Sequence, residues 1–392
     1  MLSVLDRDGD RRGKARVAIT LSVLAALAAA SGCTSAPANR PVPPSASAAP
    51  SASAPAGPVT AGRWRIVSGA TTLASGLEAP WSVVPLSAGG ALISQRDDGA
   101  ILELTPSGEL RSAGTVPGVV SGGESGLHGL AVRQEGDTTW LYAYHGAAND
   151  NRVVRMPLTG EPGAFGLGAP EVIFSGIARA STHDGGRIAF GPDGMLYVTT
   201  GDAQNHDASQ DPENLGGKIL RLTPEGDAAP GNPLDSPVWS LGHRNVQGIA
   251  WTSDGTMWAS EFGQNTWDEL NRIEPGSNYG WPIVEGMADG DDFAQPVAVW
   301  PTREASPSGI AAVGDTLFMA GLRGERLWII DTAEGEVVGS PTDAMVGEQG
   351  RLRDAVLAPD GALWVLTNNT DGRGDPRPDD DLLLRLPIQP AP

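Results

Sequence analysis

Six times along this 392-residue chain, a short apolar strand runs into a tight turn and back out as a second strand. The copies are PWSVVPLSAGGALIS, GLHGLAVRQEGDTTWLYAY, GGRIAFGPDGMLYVTTGD, VQGIAWTSDGTMWASEFG, SPSGIAAVGDTLFMAGL and RLRDAVLAPDGALWVLTNN. Most of the copies are followed by a further strand with its own turn, such as GAILELTPSG, NRVVRMPLTG, GKILRLTPEG or DLLLRLP. Repetition of this kind means one supersecondary unit used over and over, stacked to bury a face that no single copy could bury. Anchored at Leu92, Leu141, Leu196, Met257, Leu317 and Leu363, the copies lie 49, 55, 61, 60 and 46 residues apart. That is the length of four strands plus a variable loop, so the expected fold is all-β. Specifically, it is a six-bladed β-propeller of four-stranded antiparallel blades over residues 63–392. A pair of β-sandwiches is the competing architecture, and it leaves the common phase unexplained.

The remaining composition agrees. With 52 Gly and 32 Pro the chain is rich in turn formers. No long amphipathic helix is evident, because apolar runs of four or five residues are cut by DG, GG or PG. A formal charge of −20 makes nucleic acid and anionic lipid poor partners for the folded body. The only lysines are Lys14 and Lys218, so a buried anion would be held by guanidinium groups or backbone N–H. Lys218 sits in the strand KILRL and is a poor candidate for covalent catalysis.

The first 32 residues read as a leader. Arg7, Arg11, Arg12, Lys14 and Arg16 precede the apolar run VAITLSVLAALAAA, too short for a membrane span and right for a signal-peptide core. The run ends at AASGC, which resembles a bacterial lipobox, so Cys33 is the expected lipidation site. As the single cysteine it cannot form an intrachain disulfide. Residues 33–62 are dominated by Ala, Pro and Ser and read as a tether. The protein is therefore expected outside the cytoplasm, anchored to the membrane by lipid. DRDGD at 6–10 fails as a calcium loop, having Arg11 and Val17 at its sixth and twelfth positions.

Polar residues at one phase of the repeat carry the functional signal. His183 and Arg244 each lie nine residues before the turn of their repeat, and Arg351 lies eight before its own, with Asn245 and Arg353 close by. Glu124 and the pair Trp300 and Thr302 fall slightly further upstream. In a propeller this phase is the loop entering the innermost strand, so these side chains are aimed at one mouth of the central channel. Clustered arginines with a tryptophan suit a flat polyanion, because guanidinium forks bind carboxylates in bidentate fashion and an indole stacks on a ring. His183 beside such a ring is a candidate proton acceptor.

Around these residues, HDGGRIAFGPDGMLYVTTGD, GGKILRLTPEG, LGHRNVQGIAW, SEFGQNTWDELNRI, GSNYGWP, VWPT, GLRGERL and GRLRDAVLAPDGALWVLT occur in order over roughly 75–388. In these stretches the chain resembles the soluble quinoprotein glucose dehydrogenase family, which includes bacterial aldose sugar dehydrogenases. The resemblance implies pyrroloquinoline quinone (PQQ) as cofactor, clamped by calcium, and oxidation of an aldose at C1 to a lactone. It implies an external electron acceptor such as a quinone or cytochrome. His183 would take the C1 hydroxyl proton while hydride moves to the quinone, and Arg244 would stabilise the reduced quinone oxygen. Asn245, Trp300, Thr302 and Glu124 correspond to cofactor contacts, and Arg351 and Arg353 to the arginines that hold its carboxylates. The carbonyls of Gly263 and Gln264 correspond to the active-site calcium turn. Tyr279, Glu285 and Asp289 correspond to a second, structural calcium.

Several positions depart from the family pattern. Glu124 replaces a glutamine and sets an anion near an anionic quinone, so either an arginine neutralises it or the contact is absent. Arg323 stands for a lysine, Thr182 for an acid before the histidine, and Val297 for a tyrosine near the sugar. These changes point to the broader aldose dehydrogenase type rather than to a glucose-specific enzyme. Two other functions compete. A lactonase-type hydrolytic propeller needs a channel calcium held by side-chain carboxylates and amides, and only Glu124 offers one at the shared phase. A binding lipoprotein without chemistry would not need His183 and Arg244 together. There is no G-x-S-x-G and no H-E-x-x-H.

Overall fold

The computed structural model describes residues 61–391, apart from position 234. The leader, Cys33 and nearly all of the Ala/Pro/Ser segment lie outside the described residues. The rest is almost wholly strand. Among the described residues the one helical element is the short 3-10 turn His206–Gln210.

Six antiparallel sheets follow one another as blades. The first has strands Pro80–Pro85, Ala91–Gln95, Ala100–Leu104 and Leu110–Thr115 in sequential order. The second starts at Leu127–Glu135, the third at Ile188–Phe190, the fourth at Val246–Trp251, the fifth at Pro307–Val313 and the sixth at Leu352–Leu357. In the second and fifth blades two short segments share the outermost position. At five of the six blade junctions the first strands of neighbouring blades contact one another, so they line the channel. The turns carrying the acidic-glycine signal lie at one face. The loops that lead into the innermost strands lie at the other.

Apolar residues are distributed as this ring requires. Six buried clusters are present, and each draws residues from two adjacent blades. Leu92 and Ile101 of the first blade meet Leu130 and Leu141 of the second, for example. A strand has two faces, and here both are buried between neighbouring sheets. Continuous apolar runs such as ALIS and LWVLT follow from that.

The ring is closed by a strand from the far end of the chain. Thr71–Ala74 pairs with Leu383–Leu386 and completes the sixth blade, so the last blade takes its outermost strand from the N-terminal side. Trp64–Ile66 pairs with Ile388–Pro390 as a second clasp. Arg65 forms an ion pair with Asp331 beside it.

The innermost strands share a second feature. Register shifts fall at Trp81, at His128–Gly129, at Gln247, at Ser308–Gly309 and at Arg353. In the third blade, Gly186 N and Arg187 O both bond to Thr199, which is the same extra-residue pattern. A bulge re-aims a side chain, and here six bulges aim Trp81, His128, Arg187, Gln247, Ser308 and Arg353 at the axis. Glycine is required after three of them by close approach, Gly129, Gly248 and Gly309. A Cβ on Gly248 would stand 2.3 Å from Ser308 O, and one on Gly309 would stand 1.9 Å from Asp354 Oδ1.

Arg187 ties this belt together. Its Nη1 donates to Asp354 Oδ2 of the sixth blade at 2.8 Å, and its Nε donates to Gln247 O of the fourth at 2.9 Å. Its guanidinium lies 4.3 Å over the ring of Trp81 of the first. Breaking a buried pair from one side strands a charge. Arg187→Met is therefore expected to lower the unfolding free energy by about 3–5 kcal/mol. The double variant Arg187→Met/Asp354→Asn should melt above the single one, measured by calorimetry.

Candidate functional site

Above the belt lies a cavity of about 360 Å³. Its wall includes Trp81, His128, Gln247 and Arg353 of the belt, and Arg96, Glu124, Arg323, Arg351 and Arg373 from the loops above. Five arginines on one small wall make it a receptor for negative charge in an otherwise acidic protein.

The arginines are held by an acid behind the wall. Asp371 Oδ2 accepts from Arg351 Nη2 at 2.9 Å and lies 3.5 Å from Arg353 Nη2. The main-chain oxygen of Asp371 accepts from Arg96 at 3.3 Å. Arg353 also donates to Asn368 Oδ1 and to Gln247 Oε1. Burial lowers the Arg353 guanidinium to about 9, with Asp371 opposing and the Arg351 and Arg96 charges adding to the drop. An anion in the cavity would relieve this frustration. Arg323 is exposed and has no partner among the described residues.

His183 stands at the edge of the same mouth. Its backbone is left-handed, φ +63°, which is uncommon for a residue with a Cβ and marks a position that its surroundings over-determine. Gly201 makes room for it, since a Cβ there would stand 1.8 Å from His183 O. The imidazole bridges two groups. Nδ1 lies 2.7 Å from Asp202 Oδ1, and Nε2 lies 2.8 Å from Arg244 Nη2. A carboxylate only accepts and a guanidinium only donates. Nδ1 therefore carries the proton, and the Nε2 lone pair accepts from Arg244.

Asp202 is the orienting acid. It is fully buried and also accepts from Trp281 Nε1 at 2.8 Å and from Gln204 N at 2.9 Å. Burial alone would raise its pKa, but the bonds from His183, Gln204 and Trp281 hold the carboxyl below its usual range. Trp281 also lies 5.4 Å from the Arg244 guanidinium, so one indole supports both partners of the histidine.

Arg244 and Asn245 are delivered together by Glu261, which accepts both of their backbone N–H groups. Glu261 is in turn bonded to buried His243 at 2.9 Å. Asn245 Oδ1 accepts from Gly185 N, while its Nδ2 is buried with no partner, as is Arg244 Nε. Buried unpaired donors are costly in a finished structure. Two of them beside an arginine-lined cavity mark where a ligand's acceptors belong.

The turn at Gly263 and Gln264 is built to expose carbonyls. Glu285 Oε1 accepts from the backbone N–H of Gln264, Asn265 and Thr266 at 2.7–2.9 Å and from Trp267 at 3.2 Å. Gly263 N donates to Asp268 at 2.9 Å. With the amides turned to carboxylates, the Gly263 and Gln264 oxygens take no hydrogen bond from a described residue. Gly263 must be glycine, because a Cβ would stand 1.7 Å from Trp267 O.

Four expectations are corrected. Trp300 does not line the cavity: it lies on the outermost strand of the fourth blade, 5% exposed, packed in the core against Trp328. The cavity's indole is Trp81. Val297 lies in that same interblade core. Thr302 is at the rim, with a 3.5 Å contact to Asn265 O, and is not part of the cavity wall. Tyr279, Glu285 and Asp289 do not form a metal cluster. The Tyr279 hydroxyl donates to Arg272 O and accepts from Glu274 N, Glu285 is occupied as above, and Asp289 lies in an exposed loop. Among the described residues, no group of three or more His, Cys, Asp and Glu side chains is placed to hold a metal. Glu124 is neutralised by an arginine: Arg373 Nη2 lies 3.1 Å from its Oε1.

Trp81, His128, Asp202, Gln247, Trp281, Asp371 and Arg373 were not anticipated. Trp81, His128 and Gln247 share the belt phase with Arg353, and aligning the six inner strands would have revealed them.

Comparison with known proteins identifies the family. Residues 77–385 match the glucose/sorbosone dehydrogenase family. The chain belongs to that family. It is 48% identical to the PQQ-bound aldose sugar dehydrogenase of Streptomyces coelicolor, with a TM-score of 0.79 over 85% of this chain and all of that one. It is 31% identical to quinoprotein glucose dehydrogenase B of Acinetobacter calcoaceticus, over 52% of this chain and 50% of that protein. It is also 31% identical to aldose sugar dehydrogenase YliI of Escherichia coli, over 51% of this chain and 62% of that protein. The chain thus matches one half to two thirds of the length of these two curated relatives.

The depressed Asp202 carboxyl gives a testable sign. Its stabilising contribution is present above the ordinary carboxylate range and is lost as pH falls through the folded value. Trp281→Phe removes one donor, so Asp202 should titrate at higher pH, and acid unfolding should begin at higher pH. Carboxyl-carbon NMR and an acid melt check both.

Proposed function

We propose that the chain is a PQQ- and calcium-dependent aldose sugar dehydrogenase that oxidises cyclic sugars at C1 to lactones. The observation that carries this reading is the geometry of His183. Its protonated Nδ1 is fixed on Asp202 and its unprotonated Nε2 accepts from Arg244, beside an arginine-lined, indole-floored cavity. Family membership and the PQQ-bound relative from Streptomyces support the choice of cofactor.

The residues fit such a group. PQQ is a flat tricarboxylate, and Arg323, Arg351 and Arg353 offer guanidinium forks to its carboxylates. Asn245 Nδ2 and Arg244 supply donors for ring oxygens. Gly263 and Gln264 would hold calcium by their carbonyls, a ligand type calcium accepts readily. When bound, PQQ supplies the hydride acceptor that no side chain can provide.

The protein's own contribution is acid–base and electrostatic. His183 Nε2 would take the proton from the C1 hydroxyl as hydride leaves C1, the sugar hydroxyl replacing Arg244 as its hydrogen-bond partner. Asp202 stabilises the imidazolium through Nδ1 and keeps the ring in the productive tautomer. Arg244 stabilises negative charge that develops at the acceptor's oxygen, and burial strengthens that interaction by excluding water. A hydrolytic function has less support, because the site lacks the carboxylate cluster that a hydrolytic calcium needs. An external acceptor, a quinone or cytochrome, would complete the turnover. The N-terminal pattern adds lipid anchoring through Cys33 on the outer side of the cell membrane.

Reconstitution of the apoprotein with PQQ and calcium should give dye reduction with several aldoses. No activity with any sugar, together with an unchanged quinone spectrum, would refute the assignment. His183→Ala should keep quinone binding and lose about 10²–10⁴-fold in turnover. Cys33→Ser should move the protein from the membrane fraction to the soluble one, and continued membrane association would rule out the anchor.

A further inference from the structure

Glu124 stands where related glucose dehydrogenases are expected to place a cofactor contact, yet its carboxylate is already engaged. Oε2 accepts the backbone N–H of His183 at 2.9 Å, and Oε1 faces Arg373 Nη2 at 3.1 Å. From this we infer that Glu124 is a positioning residue for the catalytic base, locked in place by Arg373, and not a cofactor ligand. The inference rests on the reading of His183 as the base.

The local architecture supports it from both sides. Glu124 N donates to Ser181 O at 2.9 Å, so the second-blade loop and the His183 loop are joined by two hydrogen bonds running in opposite directions. The approach is so close that a Cβ on Gly123 would stand 2.2 Å from Ser181 O. The carbonyl of Glu124 is held as well, by His128 Nε2 at 2.8 Å. Burial lowers His128 to about 3, so this ring stays neutral and keeps donating. Glu124 therefore has little freedom to swing into the cavity.

Arg373 completes the lock. Its backbone N–H is bound to Asp371 Oδ1 at 2.9 Å, the same acid that gathers Arg351 and Arg353. The arginine wall and the base are thus connected through Asp371, Arg373 and Glu124 in sequence. The lock has something to restrain. A left-handed backbone at a residue with a Cβ is strained, and a charge-assisted bond to the His183 N–H offsets part of that strain. Without it, residues 182–183 can relax and carry the imidazole away from Asp202 and Arg244. A displacement near 1 Å is enough to cost about 10²-fold in rate.

The experiment compares Glu124→Ala, Glu124→Gln and Arg373→Met with the wild type. Each apoprotein is titrated with PQQ at fixed calcium, and kcat and KM for an aldose are then measured at saturating cofactor. Ring-nitrogen NMR of His183 is recorded on the apoproteins. Glu124→Ala should bind PQQ within about threefold of wild type and lose about 10- to 100-fold in kcat with KM little changed. Its His183 Nδ1–H signal should broaden or vanish. Glu124→Gln retains an acceptor for the His183 N–H, so it should recover most of the kcat and the NMR signal. Arg373→Met should fall between, and it serves as the test if Glu124→Ala does not fold. Wild-type kcat at saturation with PQQ binding weakened about tenfold or more would make Glu124 a cofactor ligand and overturn the inference. A wild type that binds no PQQ would sink the proposed function instead, and the apoprotein NMR would still decide whether Glu124 holds His183.

Discussion

The Arg187–Asp354 pair across the channel is the contact on which the site depends. A propeller leaves a hole along its axis, and a hole cannot hold a ligand against one mouth. Arg187 and Asp354 come from the third and sixth blades, on opposite sides of the ring, and their pairing blocks the hole below the cavity. Burial raises the Asp354 carboxyl, and the Arg187 charge opposes that rise. The belt around it is built by the six bulges, which turn one side chain per blade inward. Trp81 lies flat under Arg187 and Arg353 and stacks on His128 at 4.9 Å. The same bulges that plug the channel thus form the floor of the cavity.

Above that floor, charge is organised against the sign of the whole molecule. A chain of net charge −20 spends acids locally to keep arginines in place. Asp371 holds Arg351 and Arg353, Glu124 holds Arg373, and Asp97 holds Arg96 at 2.6 Å. Each pair fixes a guanidinium that would otherwise sample many rotamers, so less ordering is left for a ligand to impose. Arg323 alone is left without an acid. The wall is therefore preorganised and still short of negative charge, the condition under which a polyanion binds tightly and in one orientation.

Much of this was legible in the repeat. The phase of the six copies led to the propeller and assigned His183, Arg244, Asn245, Arg351 and Arg353 to one mouth; in the structure Arg351 and Arg353 line the cavity and His183 contacts Arg244. It failed for Trp300 because phase counted along a sequence ignores which strand a residue ends on. Trp300 sits on an outermost strand, paired opposite Asp268, and its indole fills the seam between two blades. It missed Trp81 because a bulge, not a loop, aims that ring, and the bulge shows only in the register. Asp202 and Trp281 are 79 residues apart and meet only because the third and fourth blades are neighbours. Ring closure by Thr71–Ala74 was hidden for a similar reason: the strand lies before the first repeat and completes the last.

The strain at His183 links these levels. A left-handed histidine persists only if its surroundings pin it at several atoms, and here four atoms are pinned. Glu124 takes the backbone N–H, Ala203 donates to the carbonyl, Asp202 takes Nδ1 and Arg244 approaches Nε2. The Glu124 contact comes from the second blade, that of Arg244 from the fourth, and the other two from the turn that follows His183's own strand pair. No single blade could impose the conformation. The orientation of the base is thus a property of the closed ring, and any change that loosens the packing between neighbouring blades should disturb the His183 geometry before it unfolds the chain.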